Sequence, residues 1–120
     1  MTPSEVVEKQ VIAFNGKDLP AFLTLFSDDI CVYDMPHAKP KFVGKAAFSE
    51  AYAKPFANGG LQAEILSRMV VGNKVVDHER VHGLLPEPYD VVSVYEVHQG
   101  QIRTMWFFKS NDVSSPPSGA

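Results

Sequence analysis

The sequence predicts an α+β domain in which three helices pack on one face of a curved antiparallel sheet. Apolar residues recur at helical spacing along the N-terminal half of the chain. After Asn58-Gly59-Gly60, four β-prone runs follow at 61–71, 74–82, 89–97 and 102–110, and turn or loop residues separate them. The chain has 120 residues, of which 45% are hydrophobic, and this suffices for one buried core. We predict a single domain over 1–112 and a flexible Ser/Pro/Gly-rich tail over 113–120.

The first helix is predicted from a start signal, a periodic face and a stop signal. Thr2-Pro3-Ser4-Glu5 has the pattern of a capping box with proline at the first helical position. Val7, Val11 and Phe14 then follow at helical spacing, and Asn15-Gly16 ends the helix.

Two more helices, one strand and a second short strand at Phe42-Val43 are expected before the glycine-rich break. Asp18 is a preferred N-cap residue and begins a shorter helix. The apolar face of that helix comprises Leu19, Phe22, Leu23 and Phe26. A short β-prone run at 30–33 ends at Asp34, and the third helix is expected over 45–56.

Composition excludes several classes of protein. The net charge of −3 and the pI of about 5.7 argue against nucleic-acid binding, which needs a basic face. One cysteine, Cys31, allows neither a disulfide framework nor a cysteine-based zinc site. No apolar run reaches the roughly 18 residues of a membrane-spanning helix, and the N-terminus lacks the features of a signal peptide. We therefore expect a cytoplasmic protein that binds neither nucleic acid nor a membrane.

The predicted turn at Gly72-Asn73 fixes a register for the first hairpin, with Val71 opposite Lys74 and Arg68 opposite Asp77. One face then carries Glu64, Leu66, Arg68, Val70, Val75, Asp77, Glu79 and Val81. The other face carries Ile65, Ser67, Met69, Val71, Val76, His78, Arg80 and His82. We expect the first face to be solvated and the second to line a pocket. A slip of one residue would exchange the two faces.

The second hairpin turns at Gln99-Gly100 and places Val97 opposite Ile102. One face then holds Val91, Ser93, Tyr95, Thr104, Trp106 and Phe108, and the other holds Val92, Val94, Met105 and Phe107. Because three short helices cannot cover a sheet that is apolar on both faces, we predict a homodimer joined through the sheets. A tightly curled sheet that covers itself is the alternative.

Several segments together resemble the nuclear-transport-factor-2-like (NTF2-like) superfamily, in its SnoaL-like and ketosteroid-isomerase-like branches. The segments are Asn15-Gly16-Lys17-Asp18, Phe26-Ser27-Asp28-Asp29, Tyr33-Asp34-Met35-Pro36, Gly44, Val94-Tyr95-Glu96-Val97, Gly100-Gln101-Ile102 and Trp106-Phe107. The resemblance covers nearly all of 3–110. It implies an NTF2-like, or cystatin-like, cone of curved antiparallel sheet with three N-terminal helices, usually dimeric, around an apolar pocket. Fold alone does not determine the reaction of such a protein.

The resemblance implies a role for Asp34, which matches the general base of ketosteroid isomerases. A carboxylate in an apolar pocket can move a proton beside a carbonyl, because desolvation raises its proton affinity. The isomerase, an established example of tuned carboxyl groups, also uses a tyrosine and a protonated aspartate to stabilise the enolate. Here Gln10 and Ser93 occupy those two positions. The alternative role for Asp34 is to turn the chain before Pro36.

The densest polar run is Asp77-His78-Glu79-Arg80-Val81-His82. The predicted register places His78 and Arg80 in the pocket, where His78 would act with Asp34 as partner or acid. The run also resembles the Glu-Arg-x-Asp stretch of limonene-epoxide-hydrolase-like proteins, with His82 in place of the aspartate. The alternative is that His78 and Arg80 make surface or interface hydrogen bonds.

Metal and cofactor binding are not predicted. His78 and His82 are about 13 Å apart if the strand rises 3.3 Å per residue, which is too far for one metal ion. Tyr95, Trp106 and Phe108 share the predicted face of Ser93 and could wall a pocket for a flat apolar ligand.

Two functions remain open at the level of sequence. One is a cofactor-independent isomerase or cyclase with Asp34 and His78 as acid/base groups and with Arg80, Ser93, Tyr95, Trp106 and Phe108 binding a small apolar substrate. The other is a noncatalytic ligand-binding or dimerisation module that uses the same pocket.

Overall fold

The computed structural model describes residues 1–109, and the predicted tail at 113–120 lies outside them. Its helices are α1 (Pro3–Asn15), α2 (Leu19–Leu23) and α3 (Lys45–Ala57). Its strands are β1 (Phe26–Asp34), β2 (Phe42–Val43), β3 (Gln62–Val71), β4 (Lys74–His82), β5 (Tyr89–His98) and β6 (Gln101–Lys109). Within 1–109, no helix is long and apolar enough to cross a membrane.

The helix starts follow the sequence signals. The Thr2 hydroxyl accepts from the backbone NH of Glu5 at 3.3 Å, and the Glu5 carboxylate accepts from the backbone NH of Thr2 at 2.8 Å. This is the predicted capping box. Helix α2 is shorter than predicted and does not include Phe26, which instead begins β1 opposite Ile102 of β6. Pairing with a distant strand therefore overrides the local helical pattern at this position.

The six strands form one curved, unclosed sheet in the order β2-β1-β6-β5-β4-β3, which confirms the predicted α+β fold. The pairings β3–β4, β4–β5 and β5–β6 are antiparallel, as expected. Strand β1 pairs with β6 in parallel, so the sheet is mixed rather than wholly antiparallel.

Both predicted hairpin turns are present, but a β-bulge changes the register of each hairpin. Val71 lies opposite Lys74, and Val97 lies opposite Ile102. The β5–β6 register then shifts between Glu96 and Val97, so Ser93 faces Phe107 rather than Trp106. A bulge inserts one extra residue and thereby exchanges the two faces of a strand beyond it.

The core lies between the helices and one face of the sheet, which we call the inner face. An aromatic cluster fills the end of this core beneath α2 and α3, and it contains Phe14, Phe22, Phe26, Phe48, Tyr52 and Phe56. Phe22 stacks on Phe48 with ring centroids 5.9 Å apart. The opposite side of the sheet, the outer face, carries none of the three helices.

Candidate functional site

A small cavity lies between α1, α3 and the inner face of the sheet. It has a volume of about 30 Å³, which is room for one or two water molecules. Its lining residues are Gln10, Val11, Phe14, Tyr52, Ala63, Glu79, Val81, Tyr95, Met105 and Phe107. The cavity is therefore mostly apolar, with one carboxyl group, one amide and two phenols.

Glu79 supplies the carboxyl group. Part of its side chain borders the cavity and keeps some accessible surface, but protein atoms surround the carboxyl closely. Desolvation raises the pKa of Glu79 to about 7, and the charge of Asp77 adds to the rise. The Ser93 hydroxyl, which donates to Glu79 Oε2 at 2.7 Å, opposes it, as does a hydrogen bond with Tyr95. The result is a carboxyl that exchanges its proton near neutral pH.

Asp77 lies two residues before Glu79 on the same face of β4 and is completely buried. Arg68 of β3 holds it with two hydrogen bonds, from Nε to Oδ1 at 2.7 Å and from Nη2 to Oδ2 at 3.0 Å. Arg68 also donates to Glu8 of α1 at 2.9 Å. The ion pairs of Glu8, Arg68 and Asp77 link α1 to the sheet. Arg68 bonds directly to Asp77 and not to Glu79.

The two phenols of the cavity stay protonated. Desolvation, followed by the nearby charge of Glu79, raises the pKa of Tyr52 and of Tyr95 well above the usual range. Both side chains are almost fully buried. Neutral phenols of this kind can donate hydrogen bonds to an oxygen that gains negative charge.

The structure corrects the predicted faces of β4. Arg68 does lie opposite Asp77, but this pair belongs to the covered inner face and not to a solvated one. His78 and Arg80 therefore lie on the outer face together with His82. The predicted register holds from the turn to Ser67 opposite His78, so no slip of one residue occurs here and only the assignment of the covered face was wrong. The physical reason is that α1 covers the Asp77 side, with Glu8 reaching Arg68.

On the outer face, His78 and Arg80 hold one carboxylate between them. His78 Nε2 lies 2.7 Å from Asp90 Oδ2, and Arg80 Nε donates to Asp90 Oδ1 at 2.8 Å. These hydrogen bonds, first from Arg80 and then from His78, lower the pKa of Asp90 to about 2. His82 lies 2.9 Å from Glu64 in a similar exposed contact. These contacts match the alternative of surface or interface hydrogen bonds.

Asp34 lies at the end of β1, opposite Phe107 on the inner face. Lys109 Nζ donates to both of its carboxylate oxygens, at 3.1 and 3.2 Å. In the β5–β6 hairpin, Lys109 lies opposite Val91. Because Asp34 and His78 lie on opposite faces of the sheet, the predicted pairing of these two as base and acid is wrong. A separate role for Asp34 as a base stays a prediction.

The bulge in the β5–β6 hairpin also places the residues that were predicted to wall one pocket on opposite faces of the sheet. Ser93 and Tyr95 are buried on the inner face, where Ser93 binds Glu79 and Tyr95 lines the cavity. Trp106 and Phe108 lie on the outer face, so the prediction that they share a pocket with Ser93 is wrong. The Trp106 ring stacks on Tyr33 with centroids 6.2 Å apart. Phe108, with His78, borders a shallow outer depression of about 230 Å³.

Sequence reasoning missed Glu79 as a site residue because the face assignment placed it in solvent. One signal points to it: Val75 and Val81 flank Asp77 and Glu79 on the same face, whereas the other face of the strand has Val76 alone near its start. Over residues 1–109, no group of three or more His, Cys, Asp or Glu side chains is arranged to hold a metal ion.

Comparison with known proteins agrees with this architecture. The model of the SnoaL-like domain family matches residues 7–105. A search of curated proteins finds no match. An uncharacterised cystatin-fold protein of Novosphingobium aromaticivorans has a TM-score of 0.82 at 26% identity, over 91% of this chain and 99% of that one.

Two further solved structures share the fold at lower identity. A protein of Pseudomonas putida, provisionally described as a polyketide cyclase, has a TM-score of 0.71 at 22% identity, over 93% of this chain and 94% of that one. A hypothetical protein of Catenulispora acidiphila with a ketosteroid-isomerase-like fold, solved in complex with trimethylamine, has a TM-score of 0.73 at 20% identity, over 92% and 88%.

Proposed function

Because this chain belongs to the SnoaL-like domain family, we propose that it is a general acid/base isomerase or cyclase in which Glu79 moves a proton on a small, mostly apolar ketone. The observation that carries the proposal is a carboxyl group with a pKa of about 7 at the wall of an apolar cavity. A proton carrier works best when its pKa lies near the working pH.

The proposed step is removal of a proton from the carbon beside the carbonyl. The C–H bond breaks, the proton binds a Glu79 oxygen, and the electron pair of the bond moves towards the carbonyl oxygen. Tyr52 and Tyr95 line the cavity and stay protonated, and the Tyr95 O–H, which bonds Glu79 in the free protein, can turn to the substrate oxygen once Glu79 has taken up the proton. Return of the proton to a different carbon isomerises the substrate. Cyclisation requires a second carbonyl group in the same molecule: the enolate carbon bonds to its carbon, the C=O π bond opens, and the new alkoxide oxygen takes the proton from Glu79.

The size of the cavity limits the substrate. A volume of about 30 Å³ is smaller than most ketones, so binding requires the side chains of α1 and α3 to move apart. Phe14 of α1 and Tyr52 of α3 are the bulky side chains that the helices contribute to the cavity wall. The proposal therefore favours small substrates with few polar groups.

Deuterium exchange into acetone tests the proposed step. In deuterated buffer at pH 7, the wild type should exchange the methyl protons faster than buffer does, as followed by proton NMR. Glu79→Gln should lower the enzymatic rate by about 10²–10⁴-fold, because it keeps the shape of the side chain but cannot carry the proton.

Asp90→Asn and Asp34→Asn are the matched controls for this experiment. Asp90 is a carboxylate on the outer face, so its replacement should leave the rate unchanged. An undiminished rate in Glu79→Gln would reject Glu79 as the proton carrier. Loss of exchange in Asp34→Asn alone would assign the base to Asp34 instead.

The alternative is a noncatalytic module that binds a small molecule in the same cavity. Two observations favour it: the cavity is small, and a structural neighbour was solved with trimethylamine. Ligands that raise the melting temperature of the wild type without being exchanged or converted would support this alternative.

A homodimer through the outer face is also part of the proposal. The apolar side chains of that face include Met69, Val71, Val76, Val92, Val94, Trp106 and Phe108, and several of them are exposed. The face carries both signs of charge, with Arg80 and His78 beside Asp90, so a second copy related by a two-fold axis can match it. Sedimentation at micromolar concentration should show a dimer for the wild type and a monomer for Phe108→Asp. A monomeric wild type would reject this arrangement.

A further inference from the structure

Gln10 of α1 has an unusual position for an amide. It is 6% exposed, and it lines the same cavity as Glu79. Its Oε1 atom has no hydrogen-bond partner among the residues that the structure describes. A buried carbonyl oxygen needs a hydrogen-bond donor, and no protein group within 1–109 supplies one to Gln10 Oε1. Such an atom at the wall of a cavity indicates a donor that comes from a ligand.

Glu79, the carboxyl group that borders the same cavity, indicates which chemical class of donor Gln10 would bind. Glu79 in its ionised form also accepts, so two acceptors border the cavity with Val11, Val81 and Met105 as apolar surroundings. Because most of the lining is apolar, an ammonium group would lose its water on entry and would have to pair with ionised Glu79, whereas a neutral donor has a smaller desolvation cost. A neutral hydroxyl group satisfies an acceptor without bringing a net charge into the cavity.

We propose that Gln10 is a specificity-determining residue that accepts a hydrogen bond from a substrate hydroxyl, so that the Glu79 cavity selects hydroxyketones over plain ketones. The inference rests on the proposed function, because it names the substrate class of that same site. The hydroxyl hydrogen binds Gln10 Oε1, while a carbon beside the carbonyl faces Glu79.

Acetone and hydroxyacetone form the matched pair of probes. Methyl-proton exchange is measured for both in deuterated buffer, and each enzymatic rate is divided by the rate in buffer alone to remove the difference in intrinsic acidity. The ratio of hydroxyacetone to acetone should exceed one in the wild type. It should fall about tenfold in Gln10→Met, which keeps the length of the side chain but removes the acceptor.

Val11→Ala is the control for this pair, because it changes the volume of the cavity without changing its polar groups. It should alter the two rates together and leave their ratio unchanged. Gln10→Met should also raise the melting temperature of the free protein, since it removes a buried acceptor that lacks a partner, and this shows that the variant is folded.

Three results overturn the inference. The first is an unchanged ratio in Gln10→Met, and the second is a wild type that prefers acetone, which would mean that no acceptor in the cavity binds the hydroxyl group. The third result concerns the case in which the enzyme exchanges the protons of neither ketone. The proposed function then fails, and the role of Gln10 is tested by ligand binding alone. Hydroxyacetone must then raise the melting temperature of the wild type more than acetone does, and must lose this advantage in Gln10→Met. Equal shifts would reject the role of Gln10 as well.

Discussion

The inner and outer faces of β4 carry similar charged side chains in opposite environments. On the inner face, Asp77 is fully buried and Glu79 borders an apolar cavity. On the outer face, the side chains of His78 and Arg80 are 44% and 41% exposed. All four are successive residues of one strand, so the alternation of the strand alone assigns them to two environments.

The pKa values of the carboxyl groups on these faces move in opposite directions. Desolvation raises the pKa of Glu79 to about 7, whereas hydrogen bonds from Arg80 and His78 lower the pKa of Asp90 to about 2. The main difference between the two carboxyl groups is their access to water. A carboxylate that stays hydrated is stable in its ionised form, whereas a carboxylate that has lost its water must be paired with a cation or protonated. Glu79 on the inner face can therefore exchange its proton at neutral pH, whereas Asp90 on the outer face stays ionised.

Replacement of Arg68 on the inner face and of Arg80 on the outer face should give the largest difference in the free energy of unfolding. Arg68→Met leaves the buried carboxylate of Asp77 without a cation, and we expect a loss of about 3–5 kcal/mol in the free energy of unfolding. Arg80→Met removes the cation from Asp90, which water can solvate, so little change is expected. Urea denaturation at pH 7 measures both. Equal losses would show that the two faces do not differ in solvation.

The second comparison uses pH. Glu79 has a raised pKa in the folded state, so the unfolded chain ionises first as pH rises from about 4.5 to 7, and stability falls across that window. Glu79→Gln removes this loss and should be more stable than the wild type by about 2–3 kcal/mol at pH 8, with no difference near pH 4.

Asp90→Asn should show the opposite sign in the same denaturation series. The lowered pKa of Asp90 contributes stability above about pH 4 that is lost as pH falls towards 2. The variant should therefore be less stable than the wild type at pH 8, and the difference should disappear in acid. If Glu79→Gln were equally stabilising at pH 4 and pH 8, its effect would not come from ionisation.

Two hydroxyl-to-carboxylate hydrogen bonds offer a third comparison. Ser93 donates to Glu79 at 2.7 Å on the inner face, and Thr104 donates to Glu96 at 3.1 Å on the outer face. Ser93→Ala should cost about 1–2 kcal/mol and raise the pKa of Glu79 further, because the lost bond favours the ionised form. Thr104→Ala should cost less. Carbon-13 NMR of labelled glutamate follows the titration of Glu79, and a downward shift in Ser93→Ala would contradict the assignment.

The smallest effect is expected at His78. It contacts Asp90 on the outer face and does not border the inner cavity, so His78→Gln should leave acetone exchange unchanged. Loss of exchange in this variant, with an unchanged melting temperature, would place the chemistry on the outer face.

Local sequence signals predicted the elements that depend on near neighbours. The capping box at Thr2, both hairpin turns and the pairing of Arg68 with Asp77 are all present. The bulges were not predicted, because an extra residue in a strand leaves no consistent mark on its own sequence. One bulge moved Trp106 and Phe108 away from Ser93.

The sequence by itself determined the α+β fold, the order of its elements and the presence of a polar run on β4. It did not determine which face of that run is covered, since both faces are partly apolar and a strand offers either one to a helix. Tertiary structure decided this through α1, whose Glu8 reaches Arg68 and whose Gln10 meets the cavity of Glu79. Burial depends on every element packed around a residue, so the chemistry of Glu79 comes from the assembled fold.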